Sequence, residues 1–352
     1  MKDIGNIGSF LALALAAGMC FSACADGAVQ RGSLPSGAAA PVRRVDGSAR
    51  NAAVVSNDMM AVHRPFLPQV APKSPACAKL RILPGKNMAF VSAKLDGREC
   101  NLLFDTGATH TTFDIGFLKR ELPGKKLGEV KLAGVTNVEG MPKIFQVGSL
   151  KIGEAEFRDF HAMALDISHL APGIGAKVDG ILGMNVIGCV PALVSFGASR
   201  VVFSPGDADC AGFGGGIARL RGDPMSVAMV PVLNGKKFGL IVDSASSLTF
   251  LDKSLGWPSS GEKFAMGAVD VNGGSSLAVE KGVAGKLGLG TDVEIAPLLV
   301  GEPINRIGAD TLLAYDMLLD FAQVKFRRCA APRSAGAQCQ SDGNDNAEGQ
   351  KK

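Results

Sequence analysis

The chain has little that suits nucleic-acid binding. It holds one Trp and one Tyr among 352 residues, so it offers few aromatic rings for stacking on bases. Its formal net charge of +4 is spread along the chain without a basic run. Clustered Lys and Arg are the usual mark of a nucleic-acid partner. We therefore expect no nucleic-acid partner.

Metal-ligand and serine-nucleophile patterns are also missing. No Cys-x-x-Cys pair occurs, and no two of the four His stand four residues apart. A zinc site usually needs such clustered ligands, so we expect no metal. The Gly-x-Ser-x-Gly pattern of many serine hydrolases is absent as well, which argues against that class.

The N-terminus predicts export. Lys2 is the only side-chain cation ahead of an apolar stretch from Phe10 to Met19, which is too short to span a membrane comfortably. Small residues around Cys24 then fit a cleavage site, so residues 1–25 are predicted to be a signal peptide. Residues 21–24 also form an imperfect lipobox, so attachment to a membrane through a lipidated Cys24 is the alternative. Both interpretations place the protein in the periplasm, or at the outer membrane or cell surface as a lipoprotein.

Cysteine usage agrees with export. Six Cys remain once those of the N-terminal segment are set aside, and an even number in an exported chain predicts up to three disulfides. The sequence does not rank their pairings. These residues are Cys77, Cys100, Cys189, Cys210, Cys329 and Cys339.

Composition divides the chain into a structured centre and two irregular ends. Residues 26–78 are rich in Ala, Pro, Gly, Ser and Arg, which predicts a flexible linker or pro-segment. The polar residues 331–352 predict a disordered tail. Between them, short apolar runs split by Gly, Asp and Asn predict many short strands. Helix signals are sparse: Ile115 to Glu121, and short segments after Gly183 and Gly308.

Two matched intervals indicate an internal repeat. In the first half, Asp105 lies nine residues after Asp96 of an Asp-Gly hairpin signal. In the second half, Asp243 lies nine residues after Asn234 of an Asn-Gly signal. Downstream, Ile181-Leu182-Gly183 in the first half and Arg306-Ile307-Gly308 in the second are each followed by a Phe thirteen residues after the Gly. The chain is therefore predicted to contain a duplicated β domain.

The first Asp stands in a distinctive motif. Residues 102–109 read Leu-Leu-Phe-Asp-Thr-Gly-Ala-Thr, an apolar run followed by Asp-Thr-Gly-Ala, and residues 178–183 read Val-Asp-Gly-Ile-Leu-Gly. These segments resemble the aspartic peptidases, and the retropepsin-like branch in particular, over about residues 80–326. The resemblance implies an all-β, bilobal acid-protease fold. Two retropepsin-like β-barrel lobes, at residues 79–210 and 211–330, would enclose a cleft.

The resemblance also implies the site and its chemistry. Two close carboxylic acids share a proton and activate a water to hydrolyse a peptide bond, with no metal or organic cofactor. The implied catalytic pair is Asp105 and Asp243, supported in their loops by Thr106, Gly107, Ser244 and Ala245. Ala245 departs from the expected Gly. A methyl there would cost about 1–2 kcal/mol if the residue needed a positive φ.

The same resemblance implies a flap that closes over a peptide or protein substrate. The candidate flap glycines are Gly134, Gly140, Gly273 and Gly274. Ordinary hairpin turns are the alternative interpretation of both segments.

Two further interpretations stay open. One is a catalytically inactive pseudoprotease that binds extended peptides in the cleft, which Ala245 favours. The other is a homodimeric retropepsin-like protease that pairs Asp105 from two chains. We expect a monomer in preference to a dimer.

Overall fold

The computed structural model describes residues 64–129, 143–219, 227–270 and 273–329. Strands dominate these residues and the helices are short, so the all-β fold class is confirmed. The predicted signal peptide with its Cys24, the flap candidates Gly134 and Gly140, and the tail lie outside the described residues.

The strands are numbered in chain order. The first half contains β1 (Ala76–Lys79), β2 (Arg81–Leu83), β3 (Met88–Leu95), β4 (Arg98–Phe104), β5 (Thr112–Asp114), β6 (Gly128–Glu129), β7 (Lys143–Ile152), β8 (Ala155–Leu165), β9 (Gly180–Leu182), β10 (Ala192–Ser195) and β11 (Arg200–Phe203). The second half contains β12 (Gly216–Ala218), β13 (Ala228–Met229), β14 (Val232–Leu233), β15 (Lys236–Lys237), β16 (Leu240–Val242), β17 (Phe250–Asp252), β18 (Ser259–Asp270), β19 (Gly273–Gly282), β20 (Gly285–Gly288), β21 (Asp292–Ile295), β22 (Leu298–Val300), β23 (Arg306–Ile307), β24 (Tyr315–Leu319) and β25 (Gln323–Arg328).

The described helices are α1 (Ile115–Glu121), α2 (Leu170–Ile174), α3 (Met184–Ile187), α4 (Asp207–Cys210) and α5 (Ala309–Leu312), with single 3₁₀ turns at Arg64–Phe66 and Lys253–Leu255. Of these, α1, α3 and α5 lie where the sequence predicts helix, and α2 and α4 were not predicted. Asp114 caps α1 by accepting a hydrogen bond from the Phe117 N–H. The segments after Gly183 and Gly308 form α3 and α5.

Six strands of the first lobe close into a barrel. Their order is β3, β4, β9, β5, β8, β7, and β7 pairs back with β3. Inward residues of β7, such as Phe145, Val147 and Leu150, are buried, whereas Gln146 and Gly148 are exposed. This period of about two residues is what a strand with one core-facing side requires. The barrel therefore encloses a continuous apolar core.

The second lobe repeats the strand pairing of the first. β16 lies parallel to β23 and β17 parallel to β22, as β4 does to β9 and β5 to β8. β17 also pairs antiparallel with β23, as β5 does with β9. The sheet order in this half is β13-β16-β23-β17-β22-β19-β18. Both halves thus follow the same path around their Asp residues.

The two hairpin signals form turns of one kind. Asp96 and Gly97, which join β3 to β4, have φ of 46° and 86°. Asn234 and Gly235, which join β14 to β15, have φ of 51° and 76°. Positive φ at both central residues is the twist that a two-residue hairpin needs, and Asn, Asp and Gly adopt it most readily.

An antiparallel six-stranded sheet connects the halves. Its order is β1-β11-β10-β24-β25-β12, and the central pair β10–β24 joins one strand from each half. β1 belongs to the segment assigned to the linker, and its residues pair with β11. Phe66 is also tied down, since its carbonyl accepts from Asn185 Nδ2 at 2.8 Å. The packed chain therefore extends ahead of residue 79.

The cysteines correct the expected disulfide framework. Four of the six predicted partners are free thiols: Cys100, Cys189, Cys210 and Cys329. A set of three disulfides is therefore wrong. Burial raises the pKa of Cys100 and of Cys189 to about 12, so these thiols are unreactive at neutral pH. The apolar core, rather than a disulfide network, supplies the cohesion of these regions.

Among the described residues, no helix is long and apolar enough to cross a membrane.

Candidate active site

Asp105 follows directly after β4, whose last three residues are buried and apolar. Its backbone N–H donates to the Leu182 carbonyl of β9 at 3.1 Å, which holds the strand end in place. The chain then turns, and the N–H groups of Gly107 and Ala108 donate to Asp105 Oδ1 at 2.8 and 3.0 Å. These two donors fix the side chain of Asp105 and favour its ionised form.

Asp243 occupies the matching place after β16. Its backbone N–H donates to the Ile307 carbonyl of β23 at 2.9 Å. The N–H groups of Ala245 and Ser246 donate to Asp243 Oδ1 at 3.1 and 2.9 Å. The two loops therefore hold their carboxyl groups with the same pair of backbone donors.

Thr106 and Ser244 lock the two loops together. The Thr106 hydroxyl donates to the Val242 carbonyl at 2.8 Å and accepts from the Ser244 N–H at 3.1 Å. Reciprocally, the Ser244 hydroxyl donates to the Phe104 carbonyl at 2.8 Å and accepts from the Thr106 N–H at 3.0 Å. All four residues are buried. Each such bond contributes about 1 kcal/mol, so the loops form one rigid unit.

Gly107 lies against the opposite carboxyl group. A Cβ at this position would fall 2.6 Å from Asp243 Cγ and 2.8 Å from its Oδ1. Because the Gly107 N–H also donates to Asp105, both carboxyl groups flank this one residue. The structure thus brings Asp105 and Asp243 together within one chain.

Ala245 fits its place despite the departure from Gly. Its φ is not positive, so the backbone does not demand glycine there. Its methyl group is fully buried and joins the apolar cluster of the first lobe that contains Leu103, Ala108 and Ile181. The cost expected for a left-handed residue therefore does not arise.

Comparison with known families gives this geometry a context. Residues 91–186 match a family model described as aspartyl protease. Over these residues the chain is similar to aspartic proteases of the retropepsin-like kind. The match runs from within β3 into α3, so it contains the Asp105 loop and stops before the Asp243 loop. A comparison with curated proteins finds no match.

The carboxyl group of Asp105 is electrostatically perturbed. Burial, and next the charge of Asp243, raise the pKa of Asp105 well above its usual value, and the N–H donors of Gly107 and Ala108 oppose that rise. Its Oδ2 is buried and has no hydrogen-bond partner within the described parts of the chain. An acid that keeps its proton and has one oxygen free is suited to donate that proton to a bound group.

An arginine of the second lobe contacts the other carboxyl group. Arg306 lies on β23, and its Nη1 donates to Asp243 Oδ2 at 2.9 Å. Both side chains are buried, at 8% and 3% exposure. Burial raises the pKa of Asp243, while the Arg306 charge and the loop N–H donors lower it. Sequence reasoning missed Arg306, although a charged residue at the position where the first half has Ile181 was a visible signal.

A second layer of hydrogen bonds supports the first loop. The Thr111 hydroxyl donates to Asn185 Oδ1 at 2.8 Å and accepts from the Gly183 N–H at 3.1 Å. These bonds tie the loop after Asp105 to the start of α3, so the position of Asp105 depends on that helix.

The second loop has the same support. The Thr249 hydroxyl donates to Asp310 Oδ1 at 2.7 Å and accepts from the Gly308 N–H at 3.0 Å. Sequence reasoning missed both layers. The signal was present, because a Thr stands six residues after each site Asp, and Asn185 and Asp310 each stand two residues after the matched Gly.

The flap candidates of the second lobe lie on a long hairpin. Gly273 and Gly274 begin β19 and pair with Asp270 and Val269 of β18, beside the turn of the hairpin. β18 also contacts α2 of the first lobe. The hairpin therefore reaches from its own lobe to the other one.

No metal centre is present in the described ranges, where no group of three or more His, Cys, Asp or Glu could hold an ion. His110, close to the Asp105 loop, packs edge-on against the Phe66 ring at 4.5 Å. Its Nδ1 lies 2.8 Å from the Thr109 hydroxyl. These contacts fit a packing role.

Proposed function

We propose that the chain is an exported aspartic endopeptidase that hydrolyses peptide bonds with a water activated between Asp105 and Asp243. The observation that carries the proposal is the reciprocal lock of Thr106 and Ser244. It fixes two Asp loops of the same geometry against each other in one chain. The match of the first lobe to aspartyl proteases supports the same activity.

In the proposed reaction, one carboxyl group of the pair is ionised and the other is protonated. The carboxylate removes a proton from water, whose oxygen attacks the peptide carbonyl carbon, while the acid gives its proton to the carbonyl oxygen. The tetrahedral diol then collapses. The nitrogen takes a proton from the first Asp, the C–N bond breaks, and a hydroxyl proton returns to the second Asp. No cofactor takes part in these steps.

Asp105→Asn tests the activity. Asn keeps the oxygen that accepts from Gly107 and Ala108 but supplies no acid, so we expect peptide cleavage to fall about 10²–10⁴-fold. Asp320→Asn is the matched control, because Asp320 also accepts two backbone N–H bonds, from Ala322 and Gln323, in a turn of the six-stranded sheet. Cleavage by both variants would be followed by mass spectrometry of a peptide library. Undiminished cleavage by the Asp105→Asn protein would defeat the proposal.

A peptide-binding pseudoprotease is the second candidate, because Arg306 already occupies one oxygen of Asp243. This candidate predicts that the wild-type protein binds extended peptides and cleaves none of them between acidic and neutral pH. Binding measured by calorimetry beside cleavage measured on the same peptides separates the two functions.

A homodimer that pairs Asp105 from two chains would need the Asp243 loop to leave its place. The contact of Gly107 with the Asp243 carboxyl group, and the Thr106–Ser244 lock, support the single-chain pair and a monomer. Asp243→Asn distinguishes the single-chain pair from the homodimer, since the homodimer would keep its activity and the single-chain pair would lose it.

Export is proposed from residues 1–25 alone. Expression of the full chain in a bacterial host, followed by fractionation, would show whether it leaves the cytoplasm. Mass measurement of the mature N-terminus would then distinguish simple cleavage from a lipidated Cys24. If Cys24 carries the lipid, Cys24→Ala should move the protein from the membrane fraction to the soluble fraction.

A further inference from the structure

Arg306 places a guanidinium group beside only one member of the Asp pair. The residue precedes Ile307, whose carbonyl accepts the backbone N–H of Asp243. The matching position of the first lobe holds Ile181, a buried apolar residue. Two loops that are otherwise alike therefore surround their carboxyl groups differently.

The hydrogen bonds of the two carboxyl groups reflect this difference. Both oxygens of Asp243 accept bonds, Oδ1 from two backbone N–H groups and Oδ2 from Arg306. Asp105 accepts only at Oδ1, and its buried Oδ2 has no partner across the described segments. Each hydrogen-bond donor stabilises a carboxylate, whereas a protonated carboxyl group needs one oxygen without a donor so that its O–H can itself donate.

We propose that Arg306 is a positioning residue that keeps the negative charge of the pair on Asp243 and the shared proton on Asp105. This inference rests on the proposed function. Asp243 is then the general base toward water, and Asp105 is the general acid toward the peptide carbonyl. Arg306 acts through Asp243 and need not touch the substrate.

Other charged groups near the pair are engaged elsewhere. On α5, the Asp310 carboxylate accepts from Thr249 and Thr311. On the first loop, His110 contacts Thr109 through Nδ1. Arg306 is thus the cation in hydrogen-bond contact with the pair within the residues that the structure describes.

Arg306 is a costly residue for a buried strand. Its Nε is buried without a hydrogen-bond partner within those same ranges. Taking a guanidinium out of water is rarely repaid in stability by one ion pair. The charge is therefore better explained by its effect on Asp243 than by a contribution to folding.

Carboxyl ¹³C NMR titration of the substrate-free protein tests the proposal without depending on cleavage. In Arg306→Leu, the first ionisation of the pair should move up by about 1–3 pH units, because the adjacent positive charge is gone. Arg327→Leu is the matched control: it breaks a close Arg–Asp pair in the six-stranded sheet, where Arg327 Nη2 lies 2.7 Å from Asp316 Oδ2. The control should leave the first ionisation of the pair unchanged. An equal first ionisation in wild-type and Arg306→Leu proteins overturns the proposal.

A second titration keeps Arg306 in place, so it stands even if Arg306→Leu does not fold. The lone Asp243 of the Asp105→Asn protein should ionise at lower pH than the lone Asp105 of the Asp243→Asn protein. The reverse order would overturn the assignment of charge and proton.

Once cleavage is established, the pH profile of kcat/KM adds a functional readout. The acidic limb should move to higher pH in Arg306→Leu and return toward the wild-type position in Arg306→Lys, which restores a cation. A loss of activity that is uniform at every pH would show a merely structural role and contradict the proposal. Absence of cleavage in the wild type would defeat the proposed function and leave the titration results standing.

Discussion

At the scale of single residues, Gly107 and Ala245 occupy equivalent places under unequal constraints. A Cβ at Gly107 would lie within 3 Å of three atoms of the Asp243 carboxyl group. The Cβ of Ala245 instead fills a gap in the apolar cluster of the first lobe. The first loop therefore needs glycine for a close approach, and the second does not.

Gly107→Ala should lower cleavage by at least about tenfold and destabilise the fold by about 1–3 kcal/mol, because the added methyl must push the Asp243 carboxyl group away. Ala245→Gly is the control at the equivalent position. It removes one buried methyl, so it should cost only about 1 kcal/mol and keep most of the activity. Chemical denaturation and peptide cleavage measured on both variants check the prediction. Similar losses in the two variants would contradict the unequal constraint.

At the scale of elements, β4 and β16 end in loops that are joined by side-chain-to-backbone bonds. Thr106 is the centre of the lock, since its hydroxyl both donates to Val242 and accepts from Ser244. The lock works only if each side chain carries a hydroxyl, which explains why Ser can stand in the second loop where Thr stands in the first.

Thr106→Val should destabilise the fold by about 2–4 kcal/mol, since it leaves the buried Val242 carbonyl and Ser244 N–H without partners. Thr106→Ser keeps the hydroxyl and should lose less than about 1 kcal/mol. Thermal and denaturant unfolding measure the difference. If Val and Ser had equal effects, the contribution of the hydroxyl would be refuted.

At the scale of the whole molecule, the buried Asp pair makes stability depend on pH. Burial, and then the charge of Asp243, raise the pKa of Asp105, so the folded protein holds this proton more tightly than the unfolded chain does. The associated stability is complete below the unfolded pKa of about 3.9 and is lost as pH rises through the folded value.

Asp105→Asn cannot lose that proton. Its unfolding temperature should therefore exceed that of the wild type at high pH, and the gap should close as the pH falls toward about 4. Thermal unfolding of both proteins from pH 4 to 9 measures the gap. A gap that widens toward acid pH would show that the sign of the linkage is wrong.

Much of this architecture is visible in the sequence because duplication repeats its spacing. The nine-residue interval from hairpin to Asp, and the matched Gly183 and Gly308, mark equivalent positions in the two halves, and α1, α3 and α5 lie where helix was predicted. The closure of the first barrel depends on the long-range pairing of β3 with β7, which no local spacing contains. Cysteine counting overestimated the disulfides, with four of the six Cys free, because it reports parity rather than distance.

The surroundings of the Asp pair were less predictable. Arg306 stands sixty-three residues from Asp243, and only the parallel pairing of β16 with β23 brings them into contact. Thr111 and Asn185 are likewise distant in sequence and meet through the fold. Such contacts depend on how the strands pair. The matched spacing of the two halves in sequence can therefore indicate that these residues matter, but it does not show which residue each one contacts.

The central claim is that one chain supplies both members of the catalytic pair. The most direct measurement is peptide cleavage by purified Asp243→Asn beside wild type and Asp105→Asn, at equal concentration of folded protein. We predict that both variants lose about 10²–10⁴-fold in kcat/KM. Wild-type cleavage by Asp243→Asn, with loss only in Asp105→Asn, would contradict the account.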